Sequence, residues 1–156
     1  MALFDGRLRH AIHTFKYRRV AALADPLGDA LARFWMQSPV LADVIVPVPL
    51  YPDRQRERGY NQAALLAHRL GRAAGLPVRP NALRRVRATA AQVSLNASDR
   101  KANVAGAFQC EDAVVRGAAV LLIDDVCTTG ATLDACAVAL MSAGAVVVRG
   151  LTLART

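Results

Sequence analysis

The stretch Val120 to Thr132, VLLIDDVCTTGAT, constrains the fold more than any other. Val120, Leu121, Leu122 and Ile123 read as a strand buried on both faces, the kind found in parallel sheets covered by helices. Asp124 and Asp125 follow at once, and Thr128, Thr129, Gly130, Ala131 and Thr132 then lead into an apolar helical stretch, Ala131 to Ala143. The junction therefore lies at the carboxyl end of a strand, which is where open parallel sheets bind ligands.

The rest of the chain supplies partners for this unit. Val44, Ile45 and Val46, ended by Pro47 and Pro49, predict a second buried strand that runs into a loop, VPVPLYPDRQRERGY, carrying Arg54, Arg56 and Arg58. Asn61 opens a helix over NQAALLAHRLGRAAG, which ends at Gly71 or Gly75. Leu83 to Arg87 predicts a short strand, followed by a long stretch without apolar period up to Phe108. The helix from Ala131 offers Leu133, Val138, Leu140 and Met141 to the core and stops at Gly144, before a third strand over Val146 to Leu153. Met1 to Ser38 reads as helical, with Leu8, Ile12 and Phe15 on one side of a first helix. Leu27, Leu31, Phe34 and Trp35 form the stripe of a second, with Pro26 in its first turn and Asp25 as its cap. This order predicts an α/β fold: a parallel sheet flanked by helices, made of an N-terminal helical segment, residues 1–40, and a core, residues 41–156, in a single domain of 156 residues.

Composition narrows the partners. The formal net charge of +8 favours phosphates, nucleic acid or another anionic surface, while 5% aromatics leaves few platforms for stacked bases. No window approaches the roughly 18 consecutive apolar residues of a spanning helix, and MALFDGRLRH lacks the apolar region of a secretory leader, so no membrane insertion and a cytoplasmic location are expected. Cys110, Cys127 and Cys136 are spaced for neither a disulfide framework nor a zinc site and are expected to be reduced thiols.

Physical chemistry then points to a ligand. The first N–H groups of a helix lack intrahelical partners and carry positive partial charge, and small residues at Thr128 to Thr132 let an anion approach them while the hydroxyls donate. Ionised carboxylates accept but do not donate, so Asp124 and Asp125 suit vicinal sugar hydroxyls and would repel a second phosphate. Phosphate and diol together describe a 5-phosphoribosyl group. A Walker A loop is excluded because no Lys stands near Gly130, and a dinucleotide fingerprint because the stretch holds one glycine. Helix capping would explain one of these residues but not the run.

The same stretch resembles the motif that binds phosphoribosyl diphosphate (PRPP) in type I phosphoribosyltransferases. VPVPLYPDRQRERGYNQAALLA, LRRVRATAAQVSL, DRKANVAGAF and the closing LTLAR are similar in type and order to the ComF/GntX family of competence-type proteins, a resemblance that covers the chain from about Ala11. It implies a type I phosphoribosyltransferase-like fold, with the N-terminal helices as hood. It further implies Asp124 and Asp125 on the ribose hydroxyls, with Val126 and the loop Cys127, Thr128, Thr129, Gly130, Ala131 and Thr132 around the 5′-phosphate. Arg58-Gly59-Tyr60 takes the place of the pyrophosphate loop, and Arg84 to Lys101 that of a loop closing over the substrate; Gln92, Arg100 and Asn103 match characteristic family positions.

The activity so implied is Mg²⁺-dependent transfer of a phosphoribosyl group with release of diphosphate. The metal is held mainly by PRPP oxygens and water, and Arg58 acts on the leaving group together with Arg84, Arg85 or Arg100. Family members commonly begin with a four-cysteine zinc ribbon; this sequence has three cysteines in all, and zinc is not expected. The competence resemblance also implies single-stranded DNA and a competence helicase-type partner. Two alternatives accompany the transferase reading: a non-enzymatic single-stranded DNA-binding component of DNA uptake or recombination, and a PRPP sensor without turnover.

Overall fold

The computed structural model describes residues 2–3, 6–18, 20–87 and 104–155. Its centre is a parallel sheet of four strands, β1 (Ala2–Leu3), β2 (Val44–Pro47), β5 (Ala119–Cys127) and β6 (Val147–Arg155), in the order β1-β6-β5-β2. β5 is central: Val44 faces Val120 and Pro47 faces Ile123 on one side, and Ala119 faces Val147 on the other. Beyond β2, Val78 makes one further parallel bridge to Ile45. The antiparallel ribbon β3 (Leu83–Arg85) and β4 (Phe108–Cys110) lies outside this sheet.

Strand alternation divides the core in two. Ile45, Leu121 and Ile123 meet Ile12 and Phe15 of α1 (Gly6–Tyr17), Leu27, Leu31 and Trp35 of α2 (Ala24–Gln37), and Leu66 and Leu70 of α4 (Gln62–Ala74). Val44, Val46, Val120 and Leu122 meet instead Leu83, Phe108 and the helix α5 (Ala131–Ser142). With both faces covered, β2 and the first half of β5 have no solvated side, and this is why they read as continuous apolar runs. Among the described residues no helix is long and apolar enough to cross a membrane.

Local chemistry sets most boundaries. Asn61 accepts a hydrogen bond from the Ala63 N–H and so caps α4, and Gly75, at φ +68, closes it. In α2 the position before the helix is Leu23, with no side-chain cap; Asp25 lies instead within the first turn, where its charge suits the helix dipole. Arg69 of α4 donates from Nε and Nη2 to the two carboxylate oxygens of Asp29, at 2.6 and 3.1 Å, fastening α4 to α2. That hydrogen bond holds the Asp29 carboxyl below its ordinary range.

Besides the Asp25 cap, five expectations need correction. The segment from Met1 to Ser38 is not helical throughout, because Ala2 and Leu3 form β1 and pair in parallel with Ala154 and Arg155 of β6. The stretch read as a loop after β2 contains a helix, α3 (Pro52–Arg58), because Pro52 sits in its first turn, where a missing N–H and a fixed φ favour the helix. Asp53 at its start, Arg56 and Arg58 at its end and the Arg56–Asp53 ion pair support it, and Gly59 ends it at φ +82. The central strand does not stop at Ile123 but continues through both acids to Cys127. In α5, Val138 is 66% and Met141 48% exposed, whereas Ala131, Cys136 and Leu140 are buried. That helix is apolar on all sides, so its pattern does not single out the buried face. Phe34 likewise stands outside the buried stripe of α2.

Candidate functional site

The carboxyl ends of β2 and β5 lie side by side, joined by the Val48 N–H donating to the Ile123 carbonyl at 2.8 Å. Beyond them β5 carries Asp124, Asp125, Val126 and Cys127, and the turn Thr128-Thr129-Gly130 delivers the chain into α5, whose first turn holds Ala131 and Thr132. Thr128 and Thr129 are exposed, and Thr129 Oγ1 reaches the Ala131 N–H at 3.4 Å. Gly130 has φ +82, and a β-carbon there would meet nothing within 4 Å. Among the described residues, space is thus left beside Gly130 at the start of α5, and the left-handed conformation favours glycine.

Because β5 remains a strand through the acids, Asp124 and Asp125 leave it on opposite faces. Asp125 is 6% exposed on the helical side, where Lys16 of α1 reaches its Oδ1 at 2.8 Å. Asp124 faces Arg85 of β3 and Cys136 of α5, keeps part of its surface accessible, and accepts the Asp125 N–H at 2.8 Å. Burial first, then the neighbouring Asp125 charge, push its carboxyl up to about 7, against the opposing pull of Lys16 and Arg85. Burial likewise raises the Cys136 thiol well above its ordinary value and lowers the Arg85 guanidinium.

A raised carboxyl pKa has a stability consequence with a definite sign. The folded chain holds its Asp124 proton more tightly than the unfolded one, so this contribution is complete below pH 3.8 and is lost as pH rises through about 7. Without ligand, Asp124→Asn is expected to melt above the parent at pH 8, with the advantage disappearing near pH 4. Melting curves at the two pH values check it, and an advantage that does not depend on pH contradicts it.

The other half of the site follows β2. Arg58 closes α3, donates to Gln62 Oε1 at 3.0 Å and lies over the Tyr17 ring at 5.3 Å. Gly59 then turns the chain so that the Tyr60 hydroxyl donates to the Phe15 carbonyl at 2.7 Å, joined there by Gln62 Nε2 at 3.4 Å. Desolvation raises the Tyr60 phenol. Arg85 lies 5.4 Å over the Phe108 ring and interacts electrostatically with Cys136 and Asp124, whereas Arg84 is exposed. Arg100, Gln92 and Asn103, with the remainder of residues 88–103, fall outside the described residues.

A relative makes the family plain. The DNA utilization protein YhgH of Salmonella typhi is 37% identical over 154 residues, which cover 93% of this chain and 66% of that protein. The chain belongs to the ComF/GntX family. A second ComF/GntX relative, Competence protein F of Haemophilus influenzae, is 45% identical over 98 residues, covering 60% of this chain and 42% of its own. The chain thus spans about two thirds or less of the length of these relatives. No protein-family profile matches it. Among solved structures, the glutamine PRPP amidotransferase of Bacillus subtilis, complexed with ADP and GMP, superposes with a TM-score of 0.58 at 24% identity, over 86% of this chain and 26% of that one. The ComF/GntX chain accordingly has the type I phosphoribosyltransferase-like fold.

Lys16 was absent from the residues expected in this ComF/GntX site, and so was Gln62, which is 2% exposed and uses both ends of its amide. Gln62 lies four residues after Arg58, which is a readable signal on its own. Nothing in the sequence around Lys16 points to Asp125, more than one hundred positions away.

Proposed function

We propose that the chain binds PRPP with Mg²⁺ at the carboxyl ends of β2 and β5 and transfers its phosphoribosyl group to a nucleophile, in the competence and DNA-utilization setting that its relatives' names describe. The observation that carries this reading is the left-handed turn at Gly130, where the described residues leave space at the start of α5, next to Asp124 at the end of β5. The anion site and the diol acceptor are then within one ligand's reach.

The residues fit an entering metal–diphosphate better than a resident metal. Asp125 is already occupied by Lys16, and among the described residues no cluster of three His, Cys, Asp or Glu side chains is built to hold an ion. Mg²⁺ bound to diphosphate oxygens supplies neutralisation of the leaving group's charge. Asp124 orients the ribose, the N–H groups and hydroxyls from Thr128 to Thr132 hold the 5′-phosphate, and Arg58 and Arg85 face the departing diphosphate. The relevant assay is incubation with PRPP, Mg²⁺ and a series of amines and nucleobases, read as diphosphate release. Arg58→Met is expected to lower that release, or PRPP affinity where no acceptor works, by roughly tenfold, the usual worth of a charge-assisted contact. Unchanged values would remove Arg58 from the site. Binding without release with any acceptor favours a sensor.

Exposed arginines on α1 and α3, Arg7, Arg9, Arg54 and Arg56, together with Arg18 just after α1, support a second role for the same molecule in holding single-stranded DNA. Such binding weakens steeply with salt, and a titration at two ionic strengths reads it directly.

A further inference from the structure

Three consecutive residues at the end of α1 touch three parts of the site. The Phe15 carbonyl accepts Tyr60 Oη–H at 2.7 Å and Gln62 Nε2–H at 3.4 Å, Lys16 Nζ meets Asp125 at 2.8 Å, and the Tyr17 ring underlies Arg58 at 5.3 Å. The turn from which Lys16 extends is therefore fixed by the element that follows β2, while its ammonium is committed to the acid pair on β5.

We propose that Lys16 is a positioning residue for the phosphoribosyl ligand: by engaging Asp125 on the helical face of the sheet it leaves Asp124, on the other face, to take the ribose hydroxyls. This inference rests on the PRPP reading of the site. Asp125 is enclosed, and among the described residues its ion pair is the one with Lys16; removing one partner of such a pair leaves the other charge buried without compensation. Lys16 itself is 22% exposed, so the pair is screened on one side only. The charged and titratable groups around Asp124 are Asp125 on its own strand, Lys16 on α1, Arg85 on β3 and Cys136 on α5, with Arg54 of α3 acting on Arg85. Lys16 is thus one of two cations that favour the ionised, accepting form of Asp124. Its loss exposes Asp124 to the full Asp125 charge and moves its titration upward.

The experiment measures PRPP affinity with Mg²⁺ from pH 6 to 9 for the parent, Lys16→Met, Lys16→Arg and the double variant Lys16→Met with Asp125→Asn. Lys16→Met is expected to weaken binding about ten- to a hundredfold at pH 7, as a misplaced positioning group does, and to move the pH of half-maximal affinity up by about one unit. Lys16→Arg keeps most of the affinity. The double variant, which leaves neither charge unpaired and removes the stronger repulsion on Asp124, recovers affinity and brings the midpoint back to the parent value or below. A Lys16→Met chain with parental affinity and midpoint overturns the proposal. So does a loss of affinity with an unmoved midpoint that the double variant fails to rescue, the pattern of a purely structural contact. A parent chain with no response to PRPP overturns the PRPP reading itself and this inference with it.

Discussion

PRPP and Mg²⁺ at one hundred times the dissociation constant are expected to raise the melting temperature of the chain by about 5–10 °C, and Asp124→Asn to abolish that rise. The size follows from linkage: ligand at that excess stabilises a single site by about 2.7 kcal/mol, and a domain of this length gains roughly 2–4 °C per kcal/mol. Asn is nearly isosteric with Asp, and its amide oxygen can still accept the Asp125 N–H that Asp124 accepts at 2.8 Å. The loop geometry is thereby preserved while the charge that favours the ribose hydroxyls is lost. Differential scanning fluorimetry at pH 8, where Asp124 is largely ionised, gives the reading with the strongest contrast. An equal rise in parent and variant would show that Asp124 does not face the sugar, and no rise in either would reject the site.

The largest expected effect on the fold itself is at Gly71. Gly71→Ala is expected to lower the melting temperature by about 4–8 °C, although alanine is the better helix former by about 1 kcal/mol. Gly71 lies in α4 where the helix crosses the segment after it: a β-carbon there would come 2.5 Å from Val78 Cγ2 and 2.9 Å from the Leu76 carbonyl oxygen. The valine methyl can yield, but the carbonyl belongs to a backbone whose N–H closes the helix on the Gly71 carbonyl at 3.0 Å. Val78 in turn bridges to Ile45 at the margin of the sheet, so the displacement is transmitted to β2. Overpacking of this kind costs about 1–3 kcal/mol, which at its upper end outweighs the propensity gain by about 2 kcal/mol. Thermal melting decides the sign, and a stabilised variant would mean that the chain after α4 moves aside freely.

Legibility from sequence varied with the kind of signal. β5, α4 and α5 were readable because each carries a period together with a local stop or start: the apolar run from Val120, the Asn61 cap with Gly75, and Gly130 with Gly144. α3 was hidden because prolines mark both loops and helix starts, and only the ion pairs that follow Pro52 separate the two cases. The position of the acid pair at the end of a parallel strand was legible. Its division between two faces was not, since that depends on whether the strand continues past Ile123, and two adjacent acids look the same in either case. Lys16 lay beyond reach because its role comes from a contact between α1 and β5, elements joined by nothing local. α5 shows the opposite limit: a helix apolar all round fits many packings, so its buried side depends on what lies beneath it.

The pairing of β2 with β5 bears on how the protein is made. The Asp43 carboxylate holds the Ala119 N–H at 2.8 Å across 76 positions of chain, and among the described residues Val44 to Pro47 find their hydrogen-bonding neighbours in β5 and in the segment around Val78. At about 5–20 residues per second, a ribosome delivers those two strands several seconds apart. During that interval the β2 apolar run has no sheet to join, so nascent or prematurely terminated chains display it to chaperones and proteases. Completion of translation through Cys127 is then the event that commits the molecule to folding.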